Sequence, residues 1–149
     1  MLYTKLTKLA MEIGYYAHEG ATDKAGMPYV FHPYHLAEQM GDDENAICVA
    51  LMHDVIEDTE WELMDLVDYG FPREVVHAVY LLTHKEGEEY LGKYIQNIKE
   101  NPLARKVKLA DLHHNTDASR LEPPTDNFGR LVYEQRMDKY KKAIEYLEN

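Results

Sequence analysis

His53-Asp54 and Glu57-Asp58 stand one helical turn apart in the segment Leu51-Met52-His53-Asp54-Val55-Ile56-Glu57-Asp58-Thr59. On a helix, His53 pairs with Glu57 and Asp54 with Asp58 at i,i+4 spacing, so four ionisable side chains cover one connected patch. An imidazole grouped with carboxylates suits two kinds of chemistry, the holding of a divalent cation and the handling of a proton on water. Adjacent residues diverge by about 100° around a helix. His53 and Asp54 therefore share an ion only if it sits against the helix flank and other ligands arrive from elsewhere, for which His32 and Asp111 are suitable candidates. Taken singly, the same residues also read as a hydrogen-bonded core histidine followed by a solvated acidic helix end, Glu57, Asp58 and Glu60.

The elements that must position these groups read as helices. Leu6, Leu9, Ala10, Ile13 and Ala17 recur at helical spacing, which predicts a helix from Thr4 to about His18 that stops near Gly20. Gly26, Pro28 and Pro33 make residues 20–33 a loop that delivers His32 to a second helix beginning at Pro33. Ala46, Val49, Ala50 and His53 share a face of a third helix, whose continuation carries Asp54, Glu57 and Asp58. Further helices are expected over Trp61–Tyr69, Pro72–Leu82, Glu88–Glu100, Pro102–Asn115 and Asn127–Leu147, separated by Gly70, Gly87, Asn101-Pro102 and Pro123-Pro124. No strand pair emerges, so the expected architecture is an all-α, single-domain bundle over residues 1–149.

Composition narrows the function. Lys and Arg total 16 against 27 Asp and Glu, a formal charge of −11, which repels extended nucleic acid over most of the surface. A small phosphorylated ligand is still compatible, because one metal ion and a few basic groups reverse the potential locally. The longest apolar run, Ala46 to Met52, is far shorter than the roughly 20 residues that cross a bilayer, and no signal-peptide core precedes it, so a cytoplasmic protein is expected. Cys48, the only cysteine, lies inside that run and reads as a buried, inert thiol.

Three ordered blocks carry a resemblance: Gly26-Met27-Pro28-Tyr29-Val30-Phe31-His32-Pro33, then His53-Asp54 with Glu57-Asp58-Thr59, then Val107-Lys108-Leu109-Ala110-Asp111 with His114-Asn115. Together, from about Ala17 to Asn115, they resemble the hydrolase domain of RelA/SpoT-type alarmone enzymes, a branch of the HD superfamily. The resemblance implies an all-helical HD-type fold, one bound divalent ion, usually Mn²⁺, and removal of the 3′-pyrophosphate of ppGpp and pppGpp. By position it implies His32, His53, Asp54 and Asp111 as metal ligands. Two imidazoles with two carboxylates also suit Fe²⁺ or Zn²⁺. It implies Glu57 and Asp58 as the acidic pair that handles the attacking water, and Lys24, Tyr29 and Asn115 as contacts to the nucleotide. The stretch after Asn115 is too short for the second, nucleotide-synthesising domain of long family members, which implies a standalone hydrolase.

Three positions depart from the family pattern, where arginine is common: Asp23, Leu112 and Asp117. Arg120, Lys85 and Lys108 are the available substitutes for phosphate binding. These departures keep two other readings open, a phosphatase acting on another nucleotide such as NADPH or a nucleoside triphosphate, and a catalytically silent nucleotide-sensing module. His18 is a candidate for the pocket wall and His114 for support of the metal ligands. His35, His77, His84 and His113 are expected at the polar surface or in capping roles, and Tyr90 with Tyr94 on a helix face.

Overall fold

The computed structural model describes all residues from Met1 to Asn149. Helices α1 (Lys5–Ala17), α2 (Phe31–Glu38), α3 (Glu44–Met52), α4 (Val55–Asp58), α5 (Leu63–Asp68), α6 (Arg73–Leu82), α7 (Ile95–Glu100), α8 (Pro102–Asn115) and α9 (Asn127–Glu148) account for nearly all regular structure, with a π-helical segment at Tyr90–Tyr94. The one pairing of extended backbone is an isolated bridge between Thr22 and Pro28 in the loop before α2.

Helix α3 is the centre of the molecule and is packed on by α1, α2, α6 and α8. Every residue from Ala46 to Met52 is buried, so this helix is apolar on all sides rather than on one stripe. Gly14 explains how α1 comes so close. A Cβ there would sit 2.7 Å from the Leu51 carbonyl oxygen, a separation only glycine permits. Side-chain caps set where the chain turns in: Asp43 accepts from the Ala46 N–H at 3.0 Å, Asn101 from Ala104 at 2.9 Å ahead of Pro102, and Asp126 from Gly129 at 2.7 Å.

The structure corrects the sequence reading at two places that matter for the site. Helix α2 begins at Phe31 rather than Pro33, so His32 lies inside its first turn. Helix α3 does not run on through Asp58 but stops at Met52, and the short α4 restarts at Val55. His53 Nδ1 meets the Ala50 carbonyl at 2.7 Å, the acceptor a continuing helix would use for the Asp54 N–H, and Asp54 takes φ −106°, ψ 0°. The helix expected over Glu88–Glu100 is likewise divided, with Gly92 in a non-helical conformation inside the π segment.

Candidate metal centre

The break between α3 and α4 turns His53 and Asp54 toward groups from two other helices. His32 enters from α2 and Asp111 from α8, and His32, His53 and Asp111 are all nearly excluded from solvent. One ligand atom each of His32, His53 and Asp54 lie within 4.8 Å of one another. His32 Nε2 is 2.9 Å from Asp111 Oδ1, and His53 Nε2 is 3.1 Å from Asp54 Oδ2 and 3.6 Å from Asp111 Oδ1.

The proton positions give this cluster its chemistry. Because the Ala50 carbonyl can only accept, His53 Nδ1 donates to it, and the buried Nε2 is turned toward the Asp54 and Asp111 carboxylates. His32 Nδ1 lies 2.7 Å from His114 Nδ1. Burial, then Arg120, His32 and His35, push His114 down to about 4, so it is neutral at pH 7. His32 Nε2, on the other side of the ring, faces the Asp111 carboxylate at 2.9 Å. For Asp54, burial opposes ionisation but His53 outweighs it and brings the group down to about 2. Asp111 behaves alike, held well below the usual range by Lys108 and the two histidines against the cost of burial. Two imidazole nitrogens and two anionic carboxylates thus converge on one place. Burial alone would lower His53, yet Asp54 and Asp111 raise it well above the ordinary histidine range, a measure of how strongly this place attracts positive charge. The donor set fits a divalent ion with mixed nitrogen and oxygen ligation.

The surroundings orient these groups. Lys108 is buried, donates to Asp111 Oδ2 at 2.9 Å, and stands over the Tyr90 and Tyr94 rings at 5.3 and 5.5 Å. It is therefore committed to Asp111 and unavailable to a phosphate. Asn115 Nδ2 donates to Asp111 Oδ1 at 2.9 Å, and the Tyr29 hydroxyl donates to Asp54 Oδ2. His18, buried with Nε2 unpartnered, packs on the Tyr29 ring at 4.6 Å.

A cleft of about 370 Å³ opens beside the cluster. His32, Asp54, Asp58, Tyr29, Lys24 and Asn115 line it, as do Arg120, Arg136 and Tyr140. Glu57 and Asp58 take different partners here, although one oxygen of each lies within 4.8 Å of the other and of Asp54. Asp58 faces the cleft and is pushed up to about 6, first by desolvation and then by Asp54 and Glu57. Glu57 accepts from the His84 backbone N–H and is not part of the lining. His84, half-buried, packs edge-on against Tyr90 and Tyr94 and meets the Glu88 carbonyl at 2.7 Å. His35 stacks on His114 at 4.0 Å, whereas exposed His77 and His113 stay outside the cleft. Lys85 is held by the Tyr80 hydroxyl at 2.9 Å, away from the site. Arg136 and Tyr140 escape sequence reasoning because no spacing ties α9 to the earlier blocks; the only signal was the run of basic residues on that helix.

No protein-family model matches the chain. Among curated proteins it is similar to the GTP pyrophosphokinase of Streptomyces coelicolor, 33% identical over 141 residues that cover 88% of this chain. It is similar also to the guanosine-3′,5′-bis(diphosphate) 3′-pyrophosphohydrolase of Haemophilus influenzae, 33% identical over 111 residues and 66% of this chain. The chain spans only 15% and 16% of the length of these two relatives. In fold it is similar to a metazoan orthologue of SpoT that hydrolyses ppGpp, with a TM-score of 0.75 at 24% identity, covering 97% of this chain and 88% of that one.

Proposed function

We propose that this chain, a homologue of RelA/SpoT-type alarmone enzymes, is an HD-type metal-dependent phosphohydrolase that removes the 3′-pyrophosphate of guanosine-3′,5′-bis(diphosphate). The observation that carries the proposal is the convergence of His32, His53, Asp54 and Asp111, whose imidazole nitrogens and carboxylates face one another beside an open cleft. These four side chains hold one divalent ion, and Mn²⁺ is the choice the family resemblance makes among the Mn²⁺, Fe²⁺ and Zn²⁺ that such donors accept. When bound, the ion supplies a Lewis acid that acidifies water and neutralises charge on the phosphoryl oxygens.

The chain's own residues do the rest. Asp58 accepts the proton of the attacking water as its oxygen bonds to the phosphorus esterified to the ribose 3′ oxygen. The bond from that phosphorus to O3′ breaks, O3′ takes a proton from solvent in the open cleft, and pyrophosphate and a nucleoside 5′-diphosphate leave. Tyr29 holds Asp54, Asn115 and Lys108 hold Asp111, and His114 holds the His32 ring, so the ligands keep their aim. Lys24, at the cleft wall, contacts the nucleotide phosphates. Glu57, held by the His84 backbone N–H with an oxygen within 4.8 Å of Asp54 and Asp58, completes the acidic pair that handles the water. The same reading treats residues 1–149 as one domain working on a small nucleotide in the cytoplasm. No helix is long and apolar enough to cross a membrane.

The test is a product assay with Mn²⁺-loaded protein on ppGpp, NADPH and nucleoside triphosphates in parallel, with pyrophosphate and orthophosphate measured separately. Pyrophosphate from ppGpp is expected, falling by roughly 10³-fold in Asp54→Ala while the circular dichroism spectrum is unchanged. Orthophosphate from NADPH alone would reassign the substrate. Binding without any product would make the chain a nucleotide sensor.

A further inference from the structure

We propose that His18, which caps the C-terminus of α1, is a positioning residue for the metal centre: its ring backs Tyr29, and Tyr29 in turn fixes Asp54. The inference rests on the reading of Asp54 as a metal ligand. The chain of contacts from His18 to Asp54 stands on geometry alone.

Helix α1 supplies none of the four metal-cluster residues, yet the fold brings its end to them. Gly14 allows α1 to close on the Leu51 carbonyl, where any Cβ would collide. His18 stands one turn beyond Gly14 on the same face of the helix, and Leu51 stands two residues before His53. The close approach therefore sets the end of α1 beside the break between α3 and α4. His18 is only 6% exposed and lies outside the lining of the cleft, so it stands behind the wall rather than in it. Burial holds its ring below the ordinary histidine range, against the pull of Asp54 and with the push of His53 and His32, three members of the metal cluster.

The contact behind the wall is a packed pair of rings. The centroids of His18 and Tyr29 are 4.6 Å apart at an interplanar angle of 54°, and the Tyr29 ring also meets that of His32 at 5.7 Å. The backbone returns Tyr29 to this place: the Ala21 N–H donates to the His18 carbonyl at 3.0 Å, and the Tyr29 N–H donates to the Ala21 carbonyl at 2.9 Å. These bonds fix where the Tyr29 side chain starts, and packing of its ring fixes where it ends. Burial, then Asp54, push the Tyr29 hydroxyl above its ordinary range, so it stays protonated and donates to Asp54 Oδ2. That oxygen is the one 3.1 Å from His53 Nε2. His18 Nε2 is buried without a hydrogen-bond partner, so the residue works through the face of its ring and not through a bond of that nitrogen.

Titration calorimetry of the full chain with Mn²⁺, run as a double-mutant cycle, tests this apart from catalysis. His18→Ala is expected to weaken Mn²⁺ binding about tenfold, Tyr29→Phe to weaken it at least as much, and the double variant to bind no more weakly than Tyr29→Phe alone. His18→Phe keeps a ring and removes the unpartnered nitrogen; it restores most of the affinity and raises the Tm of the metal-free chain. His18→Leu, which fills the space without a flat face, behaves like His18→Ala and carries the comparison should that variant fail to fold. In turnover, His18→Ala lowers kcat more than it raises KM. Additive losses in the cycle, or equal Mn²⁺ affinity in the Leu, Phe and unaltered chains, would overturn the positioning role. Coupled losses of Mn²⁺ affinity in a chain that turns over no nucleotide would uphold it while removing the proposed reaction.

Discussion

From Ala46 to Met52 every side chain is apolar and buried, whereas the six residues that follow, His53 to Asp58, include four that ionise. The first stretch is held by shape. Its helix is surrounded by α1, α2, α6 and α8, and burying each of its larger side chains contributes roughly 1.5–3 kcal/mol. The second stretch carries charge in place of apolar surface: its His53 imidazole sits against the Asp54 and Asp111 carboxylates, in a place that favours positive charge. The comparison teaches that one continuous segment stores stability in its first half and binding energy in its second. The two halves should therefore answer to different perturbations.

The largest effect is expected where a ligand completes the polar half. Mn²⁺ at about a hundredfold above its dissociation constant adds about 2.7 kcal/mol to stability and raises the melting temperature by several degrees. Asp54→Ala should abolish that rise; a Tm indifferent to divalent ions would break the contrast between the two halves. The apolar half is probed at Gly14, where a methyl group would press on the Leu51 carbonyl. Gly14→Ala should cost about 1–3 kcal/mol in urea unfolding and leave the Mn²⁺-induced increment intact. An equal loss of metal response would show the halves to be coupled.

The smallest effect concerns Cys48, whose thiol burial pushes up to about 12. The folded chain keeps the thiol neutral while the unfolded chain ionises it near pH 8.5, so stability present below that pH is lost as pH climbs toward 12. Between pH 8 and 9 the loss is under about 1 kcal/mol, and it should vanish in Cys48→Ala when the slopes of stability against pH are compared. Thiol reagents should leave the folded protein unmodified over that range. Rapid labelling would mean that the core half opens locally.

Residue order alone determined the helical class, the apolar run that became the central helix, and the pairing of His53-Asp54 with Glu57-Asp58, because period and spacing encode what one helix shows to its neighbours. It also singled out His32 and Asp111, through motif blocks rather than geometry. Only the tertiary structure decided that these two meet at 2.9 Å across 79 residues of sequence, since such contacts depend on how whole helices pack. Packing likewise decided the stop at Met52, where a side chain competes for a backbone carbonyl, and the different partners of Asp58 and Glu57. It placed Lys108 under Asp111 and brought Arg136 from the last helix to the cleft. The missing family arginines show the same limit. Asp23 caps its own loop and pairs with Arg120, Leu112 is wholly buried, and Asp117 accepts from Ser119, so none of the three positions supplies a cation. One cation of the cleft, Arg136, comes instead from α9, whose place in the fold is set by burying Ala143 and Leu147 and not by any motif. Local pattern determines elements; the distances between their side chains are properties of the packed whole.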